Sequence, residues 1–395
     1  MNPEGELRIE LQCQGGQVKQ VHIQSSRPLH LSRLFKGKPV DELLNMIPLL
    51  YSVCGTAQAA AAAKACRQAI CLESDPRIAL LERMLVNVET AREHLWRVLS
   101  DWSATTGRTL ERTLAISLST LVADAKQACF PDGDVFTLKP VPAYDPVAIQ
   151  SVIERISEIS GDKVYAVHPT LWYGLGGVQD FNDWLDEAKT DTAVLLKGLR
   201  DRALAGLGDG ETEPLPEIDH YDICQRLAQT DAEAFIAAPD WCGKVYETGP
   251  LTRQASHPLL RQLMEKYGQG LMTRLVARLL ELASMPGRLA AQLNALARPR
   301  PVTETCDDGA LGQQGVAQVE AARGRLIHRA VQRDGIITCY QILAPTEWNF
   351  HPQGVVARGL KRLSAESDAV LKQQVELLIK AVDPCVGYRL EVADA

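Results

Sequence analysis

No C-x-x-C pair occurs anywhere in the chain, and none of its eight histidines forms an H-x-x-x-H pair, so its ten cysteines do not spell a structural zinc site. A G-x-S-x-G elbow, a Walker phosphate loop and a G-x-G-x-x-G following a strand are also missing, which leaves hydrolase and nucleotide readings without support. The Gly-rich stretch Tyr173-Gly174-Leu175-Gly176-Gly177 has no apolar strand before it and no lysine within it, and reads as a loop. Basic residues are not in excess. Lys and Arg total 42 against 49 Asp and Glu, a net charge of −7, which argues against nucleic acid as a partner. The cysteines are too sparse for a disulfide scaffold, and Met1-Asn2-Pro3-Glu4 lacks a basic-then-apolar leader. The expectation is a cytoplasmic chain with free thiols.

Long apolar runs are scarce as well. The longest stretch without a formal charge, Leu43 to Ala63, is broken by Pro48, Ser52, Gly55, Thr56 and Gln58, and its second half is mostly alanine. It reads as a buried helix-turn-helix and not as a membrane span. The rest of the composition, 46% hydrophobic and 23% charged, is that of a globular chain.

What is there follows two periods. Leu7, Ile9 and Leu11 alternate with Arg8, Glu10 and Gln12, Gly15-Gly16 offers a turn, and Val18, Val21 and Ile23 follow, so an N-terminal β-hairpin is predicted. From Asp41 the pattern is helical. Thr56 to Cys71 is Ala-rich and suits close packing, Arg77 to Trp102 is a long charged and apolar helix, and Leu110 to Val122 continues on another. Proline and glycine between Pro131 and Pro146, and again between Gly206 and Pro216, predict two surface connections. Leu271, Leu275, Leu279 and Leu282 share a helical face that is expected to stop at Pro286-Gly287, and Arg298-Pro299-Arg300-Pro301 with Asp307-Asp308-Gly309 breaks the chain again. Around Asp334-Gly335 a short hairpin is predicted, and a last helix from about Ser364 to Val382 delivers Asp383-Pro384-Cys385.

Two cysteines differ from the rest by context. Cys54 precedes the Ala-rich helix, where a thiolate gains from the helix N-terminus, and Gly55 beside it lets backbone approach a bound group. Cys385 follows the last helix, in a turn set by Pro384. Cys13, Cys66, Cys71, Cys129, Cys224, Cys242, Cys306 and Cys339 are expected to be small buried apolar residues.

The segments carrying these two cysteines resemble the large subunit of nickel-iron hydrogenases, whose first motif reads R-x-C-G-x-C-P-x-A-H and whose last reads D-P-C-x-x-C-x-x-H. Leu49 to Gln58 and Asp383 to Glu391 correspond to them, each with one cysteine of two. Tyr51 and Tyr388 stand at the vacated cysteine positions, and Gln58 and Glu391 at the closing histidines. A register that sets Cys54-Gly55 on the first C-G also leaves one thiolate per end. Three further stretches match in order: Leu7-Arg8-Ile9-Glu10 resembles R-I-E-G, Glu320-Ala321-Ala322-Arg323-Gly324 resembles E-A-P-R-G, and Pro345 to Pro352 resembles P-[ST]-x-W-N-x-x-P. The resemblance implies an α+β, mostly helical fold over residues 1–395 as one domain: a large helical body with an N-terminal β-hairpin, a short β element before the C-terminal helix, and a divergent middle at about residues 105–255.

The departures from the family bear on function. The enzymes hold nickel with four thiolates, two bridging to an iron that carries cyanide and carbon monoxide. Two thiolates and two neutral phenols do not supply that set. Nickel and hydrogen turnover are therefore not expected, and with only Val392 to Ala395 after Glu391 nothing is expected to be clipped. The pattern resembles the HupK/HoxV group of hydrogenase expression/formation proteins. That implies a scaffold on which Cys54 and Cys385 hold iron with its cyanide and carbon monoxide ligands in transit, with Arg323 and Thr346 meeting the cyanides. Glu10 matches the R-I-E-G carboxylate or is an exposed strand residue, while Trp348, Asn349 and Pro352 shape the fold. The partners so implied are a HypC-type small chaperone, a HypD-type iron-cyanide donor and the hydrogenase large subunit. Other readings are a metal-free helical adaptor, a redox-complex subunit like the quinone-site relative of hydrogenase in complex I, and a residual two-thiolate catalyst.

Overall fold

The computed structural model describes residues 5–26, 33–51, 53–72, 75–105, 107–131, 133, 135–298 and 313–394. Strands β1 (Glu6–Gln14) and β2 (Gln17–Ser25) form the predicted hairpin. Gly15 and Gly16 turn it with φ of 58° and 72°, and a Cβ at Gly16 would come within 2.1 Å of the Ala365 carbonyl oxygen. A bulge between Gln12 and Cys13 sets Val18 opposite Cys13, so both face inward with Leu7, Ile9 and Leu11.

The helical part opens with α1 (Val40–Leu50) and α2 (Gly55–Ala69), the predicted helix-turn-helix, followed by α3 (Pro76–Trp96), which runs on through a π-helical stretch at Arg97–Trp102. Then come α4 (Arg112–Cys129), α5 (Pro146–Ser160), short helices up to Tyr267, and α6 (Leu271–Leu296). Three antiparallel strands follow, β3 (Gln314–Ala321), β4 (Gly324–Arg333) and β5 (Ile336–Leu343), then α7 (Pro345–Asn349), α8 (Val355–Lys361), α9 (Asp368–Val382) and strand β6 (Gly387–Asp394). Asp334 and Gly335 turn β4 into β5 with positive φ, as their sequence predicts. The fold is thus mostly helical with the two expected β elements. Among the described residues no helix is long and apolar enough to cross a membrane.

Strand β6 goes beyond the sequence expectation. It pairs in parallel with β1, from Glu6 opposite Gly387 to Cys13 opposite Asp394, giving a sheet of order β2-β1-β6. The inner face of this sheet packs on α8 and α9 through Leu7, Ile9, Leu11, Val355, Leu378 and Ile379. The sequence does carry a short signal for this strand, since Tyr388, Leu390 and Val392 alternate with Arg389 and Glu391, but local alternation does not say which strand it pairs with.

Two other expectations change. Helix α6 does not stop at Pro286 but passes through it to Leu296, because Leu289 and Leu296 beyond it are buried and offset the lost N–H. The Gly206–Pro216 connection is not wholly at the surface. Gly208 and Gly210 are buried, and a Cβ on them would meet Leu378 at 2.7 Å and the Val355 carbonyl oxygen at 2.4 Å, so the bare backbone lies against α9 and α8. Cys306, Pro299 to Pro301 and Asp307 to Gly309 lie outside the described residues.

The Ala-rich α2 does lie close on its neighbours. Ala57 and Ala59–Ala63 are buried, Val316 N donates to Gln68 Oε1 at 2.8 Å, and Gln332 Nε2 donates to the Ala69 carbonyl at 3.0 Å. A Cβ on Gly315 of β3 would sit 2.2 Å from the Ala65 carbonyl oxygen and 2.6 Å from the Ala69 nitrogen. Replacing Gly315 by Ala should therefore lower stability in urea denaturation by about 1–3 kcal/mol, the usual cost of overpacking. An unchanged midpoint would mean that helix and strand can separate freely.

Candidate two-thiol site

Cys54 is the N-cap of α2, and Cys385 lies just past the end of α9, two residues before β6 begins. The two thiols lie close together, and Cys385 is the largest influence that raises the Cys54 pKa. Cys385 is buried and Cys54 partly so. Thr346, near the start of α7, has its Oγ1 2.9 Å from Cys385 Sγ, where either atom can donate, and accepts the Cys385 N–H at 3.4 Å.

Glu89 of α3 enters this site without any signal in the sequence motifs. Its two carboxylate oxygens accept the Thr56 and Ala57 N–H groups at 2.7 and 2.9 Å and so cap α2, which Cys54 does not do with its own side chain. The positive helix end expected to favour a Cys54 thiolate is therefore occupied by a carboxyl. The adjacent Cys385, burial and the nearby Glu89 all push the Cys54 thiol up. Burial likewise raises Glu89, against the pull of the two N–H groups.

Arg323 sits in the two-residue turn between β3 and β4, buried. Its Nη1 donates to Glu93 at 2.7 Å, and its Nη2 lies 3.2 Å from Asp383. Burial opposes its charge, but Asp383 and Glu93 outweigh that and raise its pKa. Its Nε–H has no partner among the described residues, so one buried donor remains for a guest. Asp383 is in turn held by Arg323, Arg278 and Arg97, the last at 3.0 Å, and against its burial these cations keep its carboxyl below the usual range. Asn349 donates to the Arg323 carbonyl at 3.1 Å and accepts Thr248 N–H at 3.0 Å, and Trp348 is buried against Phe235.

The other candidates lie elsewhere. Glu10 is on the face of β1 opposite Ile9 and Leu11, paired with Arg8 at 2.8 Å, which is its exposed-strand alternative. Tyr51 is buried in the apolar cluster of α1, α2 and β5, and Tyr388 is half-buried on β6 opposite Leu7. Of the eight cysteines expected to be buried, Cys13, Cys66, Cys129 and Cys224 are, and burial pushes Cys66 and Cys129 up to about 12. Cys71 and Cys242 are exposed in left-handed turns, and Cys339 is intermediate. Gln58, fully buried, donates from Nε2 to Cys54 Sγ at 3.7 Å. Among the described residues no three His, Cys, Asp or Glu side chains gather closely enough to ligate a metal. Two adjacent soft thiols beside a buried guanidinium fit a partly chelated soft ion and do not fit the four-thiolate set of a nickel-iron centre.

The nickel-dependent hydrogenase profile matches residues 200–387, starting inside the middle region that shows no motif. HoxV of Cupriavidus necator, a hydrogenase expression/formation protein, is 29% identical, covering 94% of this chain and 93% of its own length. HupK of Bradyrhizobium diazoefficiens, with the same designation, is 28% identical over 99% and 97%. Among solved structures, a variant of the NiFeSe hydrogenase from Desulfovibrio vulgaris Hildenborough superposes with a TM-score of 0.65 at 15% identity, over 98% of this chain and 99% of that one. The chain is similar over nearly its whole length to hydrogenase expression/formation proteins of the HupK/HoxV type, and it has the fold of the hydrogenase large subunit. In this chain the large-subunit fold is kept while the motif cysteines number one at each end.

Two measurements test the site. Glu89→Ala leaves two buried N–H groups unpaired and should cost about 1–3 kcal/mol for each in chemical denaturation. His328 is fully buried, and burial pushes its imidazole down to about 3. Below the ordinary value of 6.5 the unfolded chain binds a proton that the folded chain refuses, so His328 makes stability fall as pH falls towards about 3, and its full contribution is present above 6.5. The stability gap between wild type and His328→Gln should narrow by about 2 kcal/mol from about pH 6.5 to about pH 5. A constant gap would mean that His328 titrates alike in both states.

Proposed function

We propose that this protein is a hydrogenase maturation scaffold that carries iron with its cyanide and carbon monoxide ligands while a nickel-iron active site is being assembled, and that it does not itself turn over hydrogen. The observation that carries the reading is the meeting of the Cys54 and Cys385 thiols next to Thr346 and Arg323. Its biological side rests on the relatives named as hydrogenase expression/formation proteins.

The chemistry follows from the donor set. Binding iron displaces the thiol protons and turns the adjacent thiols into two soft thiolate ligands. The nitrogen ends of cyanide carry negative charge and accept hydrogen bonds, for which the spare Nε–H of Arg323 is a charge-assisted donor. With two sulfurs instead of four, the chelate is incomplete and can give up its cargo to a site that offers more ligands. The same shortfall makes nickel an unsuitable guest. A small chaperone of HypC type, an iron-cyanide donor of HypD type and the hydrogenase large subunit are the partners such a hand-over requires.

One observation favours a metal-free adaptor instead: each sulfur of the adjacent pair already has a protein partner, Gln58 for Cys54 and Thr346 for Cys385. Anaerobic co-expression with the cyanide-synthesis machinery, followed by infrared spectroscopy of the purified chain, separates the two. Cyanide and carbonyl stretches are expected in the wild type and should be lost in Cys54→Ala and Cys385→Ala. A wild type without them is the adaptor, and hydrogen uptake by the purified chain would make it a catalyst.

A further inference from the structure

Gln58 is buried on α2 one helical turn after Cys54, among alanines that make no polar demand. Its Nε2 donates to Cys54 Sγ at 3.7 Å, and its Oε1 lies 2.8 Å from His328 Nε2 on β4. His328 Nδ1 is 2.6 Å from the Tyr340 hydroxyl on β5. All three side chains are fully or almost fully buried. An apolar residue at position 58 would spare the fold the desolvation of an amide, so this polar line through a dry layer between helix and sheet needs a reason.

The sense of every hydrogen bond is set by chemistry. A sulfur bound to a metal has no proton and can only accept, so the amide must turn its NH₂ to Cys54 and its oxygen to His328. That oxygen only accepts, so His328 carries its hydrogen on Nε2. The ring is neutral, so Nδ1 takes the phenol hydrogen of Tyr340. The result is a one-way line of donors, from Tyr340 through His328 and Gln58, that ends on the sulfur of Cys54.

We propose that Gln58 is a positioning residue that weakens the hold of the Cys54 sulfur on iron, with its amide kept in the donating sense by His328 and Tyr340. The inference rests on the carrier reading above. A hydrogen bond donated to a thiolate draws charge away from the metal, and the group that orients the donor makes the effect permanent. Cys385 has a counterpart in the Thr346 hydroxyl at 2.9 Å. Both sulfurs of the pair are thus made poorer donors, which suits a site that must let go.

The test uses the full chain loaded by anaerobic co-expression and read by infrared spectroscopy. Without the hydrogen bond the sulfur gives more charge to iron, iron gives more to its carbonyl, and the carbonyl band moves to lower wavenumber. That shift is expected in Gln58→Leu and, smaller, in Tyr340→Phe, which removes one oxygen atom and is the deciding variant if Gln58→Leu does not fold or load. A purely structural role for the line would change yield and leave the band of the loaded fraction where it is. Bands unchanged from wild type in the loaded variants overturn this inference alone. A wild type with no cyanide or carbonyl bands overturns the carrier reading and this inference with it.

Discussion

The parallel pairing of β1 with β6 is the constraint on which the rest depends. It ties residues 6–13 to residues 387–394 and thereby fixes Cys385, two residues upstream of β6, against the helical body. Parallel strands cannot be joined by a tight turn, and here the connection takes in every helix from α1 to α9. Burial of Leu7, Ile9 and Leu11 on α8 and α9 holds the register, because a slip of one residue would turn that whole set to the other face.

Next to this closure stands a knot of buried charge. Asp383 takes a left-handed conformation, φ 67°, at the end of α9, a position that glycine fills at lower cost. Its compensation is the group of Arg323, Arg278 and Arg97 around one carboxylate, with Glu93 completing Arg323. The knot joins the π-helical stretch after α3, helix α6, the β3–β4 turn and the segment leading to Cys385. Removing one member of such a group strands its partners as uncompensated buried charges, so the loss of one costs more than the pair itself adds.

Much of this is legible in the sequence. Alternation at Leu7 to Leu11 and the paired glycines give away the first hairpin, Asp334-Gly335 the second, and the uncharged run from Leu43 to Ala63 the α1–α2 pair, because each rests on local periodicity or turn chemistry. Motif resemblance brings together Cys54, Cys385, Arg323 and Thr346. It cannot reach Glu89 and Glu93, which lie four apart on α3 and read as an ordinary solvated face until a helix buried on nearly all sides makes them interior groups. Glu10 takes the exposed-strand alternative, which its alternation with Ile9 and Leu11 already implies, since a motif letter alone does not say which face of a strand it occupies. Pro286 and Gly208 to Gly210 depart from expectation because punctuation residues usually mark ends and surfaces, whereas here they let backbone run through packed layers.

The long span between the two cysteines has a consequence for biosynthesis. A ribosome that has finished α2 holds a chain with Cys54 but not its mate, since Cys385 belongs to a segment translated only after α9. The dithiol pair is therefore a property of a polypeptide already made through that point, and it comes together only on a nearly finished fold.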